Sequence, residues 1–222
     1  MIRVHHLNNS RSQRILWMLE ELDQPYKIEH YERDSKTMLA PSSLKNVHPL
    51  GKAPVITDGA LTIAESGAII DYLAHTYGKN LLPEPGTQAW IDYTYWLHYA
   101  EGSLMPPLVM RLVFEKVKTS PMPFFVKPVA RGIANKTIEI FIGPQIDTHM
   151  DFVETHLAKH TWFLGEELSA ADFQMSFPLE AAVARGLVND KQHPNIVAYV
   201  KRIHQRPAYK RALGRGGEYD FA

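Results

Sequence analysis

The 222-residue chain contains no cysteine. That absence excludes disulfides, thiolate metal sites, redox pairs and a cysteine nucleophile of the protein's own. Any thiol chemistry must therefore use a thiol brought in by a ligand. Net charge is also absent: 24 Lys and Arg balance 24 Asp and Glu. No overall field exists to attract nucleic acid or an anionic membrane surface, so a neutral small ligand or another protein is the expected partner. Long hydrophobic runs are missing as well. MIRVHHLNNSRSQR holds no apolar stretch of the roughly 7 to 15 residues that a secretory signal needs, and no segment reaches the about 18 consecutive apolar residues of a membrane span. A cytoplasmic protein is expected.

What is present is a change of pattern along the chain. IRVHH at 2–6 reads as a strand, Ser10 and Ser12 offer capping hydroxyls, and Ile15, Leu16, Leu19 and Leu22 follow at helical spacing. Pro25 ends that helix and YKIEHY at 26–31 alternates as a second strand, giving a β-α-β unit with parallel strands. A short helix is expected near 42–47, then a hairpin of APVI at 53–56 and ALTI at 60–63 around a Gly turn. ESGAIIDYLAHTYG closes the module with a helix that Gly78 ends. The order is β-α-β-α-β-β-α over residues 1–82. LLPEPG at 81–86 suits a boundary, with 83–88 as the linker. Residues 89–222 carry helical runs near 87–118, 124–159, 170–185 and 194–204, kinked or divided at Pro128 and Gly143-Pro144. RGGEYDFA reads as a loose tail.

Four local features of the first module can meet a small peptide. Ser10 stands where a hydroxyl and the free amides of a helix start converge, a place that favours an anion. Pro54 in GKAPVI is a candidate cis proline, which would turn the Ala53 backbone outward to pair with an extended ligand. Glu65 can hold an ammonium while Ser66 and its neighbouring amides accept a carboxylate, a match for an α-amino acid head group. Lys52 can meet a second, distant carboxylate. Each feature alone reads as structural: a serine before a helix is usually a cap, and a proline opening a strand usually marks an edge. Their occurrence together, in this order, is what points to a ligand with two charged ends. His149, His156 and His160 share helical spacing but lack the HExxH carboxylate, so no metal site is expected. The aromatic run WIDYTYWLHY at 90–99 reads as packing and interface.

LNNSRSQRILWMLEEL, HPLGKAPVI and ESGAIIDYL, placed before a helical domain, resemble the cytosolic glutathione transferases, and the resemblance covers nearly the whole chain. GEELSAADF adds to it: Gly165, Ser169 and Asp172 look like that family's capping box and staple region, with Ser169 and Asp172 structural. The resemblance implies a thioredoxin-like first domain, an all-helical second domain and glutathione as co-substrate, with no cofactor. It implies that Ala53 and cis Pro54 pair with the cysteinyl residue, Glu65 and Ser66 clamp the γ-glutamyl end, and Lys52 meets the glycyl end. The thiol-activating position falls on Ser10 when Arg14 is matched to the first-helix arginine of serine-type members, with Asn9 and Ser12 as close competitors. No tyrosine precedes Tyr26, so the tyrosine-type mechanism is excluded, and the lack of cysteine excludes thiol exchange. Tyr99, Met105 and Leu108 are expected to line the pocket of a hydrophobic electrophile, and Glu101 to reach glutathione in the partner subunit of a homodimer. The implied activity is detoxifying conjugation; peroxide reduction by the same thiolate, or a non-catalytic binding role, are the alternatives.

Overall fold

A computed structural model describes residues 1–34, 37 and 39–222. The first module contains β1 (Ile2–Leu7), α1 (Ser12–Glu21), β2 (Tyr26–Tyr31), a 3₁₀ turn at Ser42–Asn46, β3 (Val55–Asp58), β4 (Leu61–Ala64) and α2 (Ser66–Tyr77). The strands form one sheet in the order β2-β1-β3-β4. β1 and β2 run parallel, with Ile2 opposite Tyr26, whereas β3 is antiparallel to both β1 and β4. The crossover through α1 enforces the parallel pair, and the two-residue Gly59-Ala60 loop, with Gly59 at φ +58°, enforces the antiparallel one. The expected element order thus appears, with a 3₁₀ turn as its second helical piece. Gly78 follows α2 at φ −138°, so it is not there for a left-handed cap. A Cβ on it would lie 2.4 Å from Leu22 Cδ2, and close packing against α1 is the reason for glycine.

The second module is helical. α3 (Gln88–Tyr99) and α4 (Met105–Thr119) are joined by a π segment at Ala100–Leu104, and α5 (Lys127–Thr137) and α6 (Gly143–Leu157) by another at Ile138–Ile142. α7 (Ala170–Ala184), α8 (Pro194–Gln205) and α9 (Pro207–Gly216) complete it. Pro128 sits in the first turn of α5 and Pro144 in that of α6, where the missing amide costs nothing. α9 was not expected from the sequence: its buried residues are only Ala208, Tyr209, Ala212 and Gly216, too few to make a strong apolar stripe.

α7 is buried almost all round and packs against α1, α2 and α3, tying the two modules together. Pro178 lies inside it and cannot donate an amide to the Gln174 carbonyl one turn earlier. Arg14 of α1, fully buried, supplies the missing donor: Nη1 reaches the Gln174 carbonyl at 2.5 Å and Gln174 Oε1 at 2.8 Å. The start of α7 is fixed by Asp172, whose carboxylate accepts the Ser169 amide (2.8 Å), the Ser169 hydroxyl (2.7 Å) and the Phe163 amide (2.9 Å). Asp172→Asn replaces an acceptor oxygen with a donor among these buried donors. We expect a loss of about 2 kcal/mol, read as a fall of roughly 4–8 °C in thermal midpoint for a chain of this size; an unchanged midpoint would refute the structural role.

Candidate functional site

The loop after β1, the approach to β3 and the start of α2 meet at one end of the sheet and enclose a cavity of about 330 Å³. Lys52, Ala53, Pro54, Glu65 and Ser66 all line it. Residues at 52–54 and 65–66 come together because β3 and β4 form a hairpin, which sets Val55 opposite Ala64. The Ala53-Pro54 peptide bond is cis, as the sequence suggests. Glu65 occupies the left-handed region at φ +69°, a conformation that costs a non-glycine residue about 1–3 kcal/mol and tends to persist where a site demands it. No side chain caps α2 at Glu65, so the first amides of this 12-residue helix remain available to an anion.

Glu101, from the π segment after α3, lines the same cavity of its own chain. Within the chain, Arg11 Nε donates to both its oxygens, at 3.0 and 2.9 Å, and Arg14 Nη2 donates to Oε1. Burial alone would raise the Glu101 carboxyl, but the charges of Arg14 and Arg11 and their hydrogen bonds hold it below the usual range. It stays ionised and paired with two arginines of its own chain.

The three candidates for the thiol position have different surroundings. Ser12 is fully buried, its Oγ bonded to His6 Nδ1 (2.8 Å) and to Ser10 Oγ (2.7 Å), so it belongs to the interior of the module. Asn9 adopts φ +49°, and its Oδ1 accepts the Asp220 amide at 2.8 Å, which commits it to the C-terminal segment. Ser10 stands between Asn9 and Arg11, 5% exposed, with Oγ accepting the Ser12 amide at 3.2 Å. It does not cap α1 as expected; Arg11 holds the N-cap position, without a side-chain bond.

Arg11 also lines a second cavity of about 550 Å³, with Asn9, Met105, Leu108, Phe177 and Phe221 among its walls. Met105 and Leu108 thus share one cavity. Tyr99 does not line it: it is buried among Tyr95, Trp96 and Phe152, and its hydroxyl bonds His149 Nδ1 at 2.7 Å. Six residues before Met105 and across a π segment, it falls on another face of the helical path. His149 and His156 likewise serve packing, the latter with Nε2 at 3.1 Å from the Phe163 carbonyl. The supposed loose tail is packed: the Tyr219 hydroxyl donates to Glu180 (2.9 Å), and Phe221 meets Phe177 edge-on. Asp220 and Phe221 line one side of the second cavity. The sequence reading missed Arg11, His48 and Leu50 as lining residues of the first cavity. Adjacency to Ser10 and to the GKAP stretch is the signal that could have found them.

A third hollow of about 580 Å³ lies between α2 and α3, lined by Trp90, Tyr93 and Leu97, and it also touches Glu65 and Glu101. On α3, Ile91 and Tyr95 are exposed at 59% and 47%.

Comparison with known proteins agrees with this architecture. Residues 4–83 match a model described as "Glutathione S-transferase, N-terminal domain" and residues 143–207 one described as "Glutathione S-transferase, C-terminal domain". Glutathione S-transferase 3 of Schizosaccharomyces pombe is 37% identical over 210 residues, spanning 94% of this chain and 85% of the relative. Glutathione S-transferase 1 of Saccharomyces cerevisiae is 36% identical, over 96% of this chain and 97% of its own. Among solved structures, a glutathione S-transferase of Actinobacillus pleuropneumoniae superposes with a TM-score of 0.81 at 34% identity, covering 100% of this chain and 95% of its own. A sphingomonad glutathione S-transferase complexed with glutathione shares the fold, with a TM-score of 0.73 at 20% identity, over 97% and 98% of the two chains.

Proposed function

Since the chain belongs to the glutathione S-transferase family and is a glutathione transferase, we propose that it holds glutathione in the cavity of Lys52, Ala53, Glu65 and Ser66 and activates the thiol at Ser10. The observation that carries this reading is the convergence of those residues, distant in sequence, on one cavity beside the Ser10 loop. The γ-glutamyl carboxylate would rest on Ser66 and the first α2 amides, its ammonium on Glu65, and the glycyl carboxylate near Lys52. Ala53 would pair through its backbone with the cysteinyl residue. That alignment directs the thiol toward the loop that carries Ser10, at the junction with the 550 Å³ cavity. The apolar wall of Met105, Leu108 and Phe177 suits a hydrophobic electrophile, and the methionine can adapt to several shapes. Catalysis is then thiolate stabilisation together with proximity, and its product is a thioether conjugate.

The residues 1–82 and 89–222 act in this reading as glutathione holder and electrophile wall, joined by the linker at 83–88. Exposed Ile91 and Tyr95 of α3 support association of two copies through that helix. Sedimentation equilibrium should give twice the 25.3 kDa chain mass; a monomer at micromolar concentration would contradict it.

Retention on immobilised glutathione followed by conjugation assays with a panel of apolar electrophiles tests the reading, with a hydroperoxide as an added substrate. Ser66→Ala should raise the glutathione Kd roughly tenfold, the loss of one hydrogen bond to a charged group. Its kcat should change less than twofold, because the lost contact lies far from the sulfur. Unchanged binding would move the γ-glutamyl end to another part of the cavity.

A further inference from the structure

Three buried polar groups run inward from the Ser10 loop in an unbroken line. Ser10 Oγ lies 2.7 Å from Ser12 Oγ, and Ser12 Oγ lies 2.8 Å from His6 Nδ1. Their residues are 5%, 0% and 2% exposed. The three protons can be placed by elimination. The other side of the His6 ring faces the Gly216 backbone, close enough that a Cβ there would stand 3.4 Å from Nε2, and it hydrogen-bonds that backbone. A carbonyl can only accept, so Nε2 carries the hydrogen and Nδ1 is a bare acceptor. Ser12 Oγ faces two acceptors, His6 Nδ1 at 2.8 Å and the Leu7 carbonyl at 3.3 Å; its one hydrogen goes to the nearer, and the Ser10–Ser12 contact then uses the hydrogen of Ser10. Ser10 thus donates inward, to Ser12, and has only lone pairs left for a further partner.

That polarity is wrong for a thiolate and right for a thiol. We propose that His6 ends a hydroxyl relay that takes up the thiol proton of glutathione, reversing the chain so that Ser10 comes to donate to the sulfur. The glutathione S–H proton passes to Ser10 Oγ, the Ser10 proton to Ser12 Oγ, and the Ser12 proton to His6 Nδ1. One S–H bond is lost and one N–H bond gained, each hydroxyl ends with one proton, and the net charge of the set is unchanged. The product is a thiolate facing Ser10 Oγ–H, with Ser12 donating to Ser10 and imidazolium Nδ1–H donating to Ser12. His6 touches no substrate and acts as a positioning residue through Ser12.

The groups facing the ring are few. From β2 comes His30, its ring centroid 5.7 Å away; from α1, Ser12; from α9, the Gly216 backbone. Burial above all, and then His30, push His6 down to about 4, while the Gly216 bond opposes them. The ring is thus neutral before glutathione binds, as the proton placement requires. No carboxylate is among these groups, so the compensating charge for an imidazolium must come from the thiolate, attracted across a buried path where charges are weakly screened. Protonation of His6 is thereby tied to the presence of a thiol in the site.

The inference rests on the glutathione reading above, and S-methylglutathione separates the two, since it fills the same site without a thiol proton. Isotope-labelled histidine NMR at neutral pH, with His6 assigned by the resonance missing in His6→Gln, should show Nδ1 gaining a proton on addition of glutathione and remaining bare with S-methylglutathione. In His6→Gln, the thiolate absorbance of bound glutathione should titrate at least one pH unit higher, with kcat/KM at neutral pH down about tenfold and the Kd for S-methylglutathione within twofold of the parent. A merely structural His6 would weaken S-methylglutathione binding as well and leave the titration in place. Binding of both ligands with His6 still neutral in the glutathione complex would overturn the relay alone. Binding of neither would overturn the site and the relay together.

Discussion

Ser10→Ala is expected to lower the conjugation rate at neutral pH roughly 10- to 150-fold, the factor that corresponds to losing about 1.5–3 kcal/mol from a hydroxyl bond to an anion. The pH–rate profile should move upward by one to two units, while the Kd for S-methylglutathione stays close to that of the parent. A cysteine thiol titrates near pH 8.5, and lowering that by about two units needs roughly 2.7 kcal/mol of preference for the thiolate. The helix start beyond Arg11 contributes only about 0.3–1 kcal/mol. Arg11 is nearby, but its guanidinium is already bound to Glu101 at 2.9 Å, which leaves little net charge for the sulfur. The hydroxyl is therefore the larger contribution. Stability should change little, because Ser10 contributes one bond to the Ser12 amide and one to the Ser12 hydroxyl at the rim of the module. An unchanged profile would transfer the role to Asn9, with Asn9→Ala as the variant that then shows the shift.

Arg14→Ala should be the most destabilising single change discussed here, by about 3–5 kcal/mol, the cost of breaking a buried ion pair from one side. Three partners lose their donor at once: Glu101, Gln174 Oε1 and the Gln174 carbonyl that Pro178 leaves open. The Arg14 side chain is fully buried and Glu101 is 30% exposed, so water reaches only one end of the pair. A chain of this size loses roughly 2–4 °C of thermal midpoint per kcal/mol, so calorimetry should show a fall of about 6–20 °C. Arg14→Lys keeps a charge but not the fork, and is expected to recover only part of the loss. A midpoint within two degrees of the parent for Arg14→Ala would mean that α7 does not depend on α1 for that carbonyl.

These two residues also show where sequence reasoning succeeds and where it stops. The place of Ser10 in the loop between β1 and α1 was legible because its neighbours are local: a strand before it, a helix after it, and a polar pair around it. The hairpin of β3 and β4 was legible for the same reason, and it delivers Lys52, Ala53, Glu65 and Ser66 to one place. The arginine at 14 was matched only through resemblance, and its partner 160 residues away left no periodic trace. The coupling exists because one proline removes one amide inside a buried helix, a fact about three-dimensional packing. Tyr99 lies apart from Met105 and Leu108 for a related reason, since the π segment at Ala100–Leu104 shifts the face that a regular helix would present. The tail was misread because glycine and charge around 214–218 suggest mobility, whereas Tyr219 and Phe221 carry the contacts.

The most direct test of the central claim is a crystal structure with glutathione bound. The γ-glutamyl group is expected against Glu65 and Ser66, the cysteinyl residue paired with the Ala53 backbone, and the sulfur within about 3.5 Å of Ser10 Oγ, a hydrogen-bonding reach for sulfur. A sulfur that approaches Asn9 more closely than Ser10, or a tripeptide seated in the cavity of Met105 and Leu108, would contradict it.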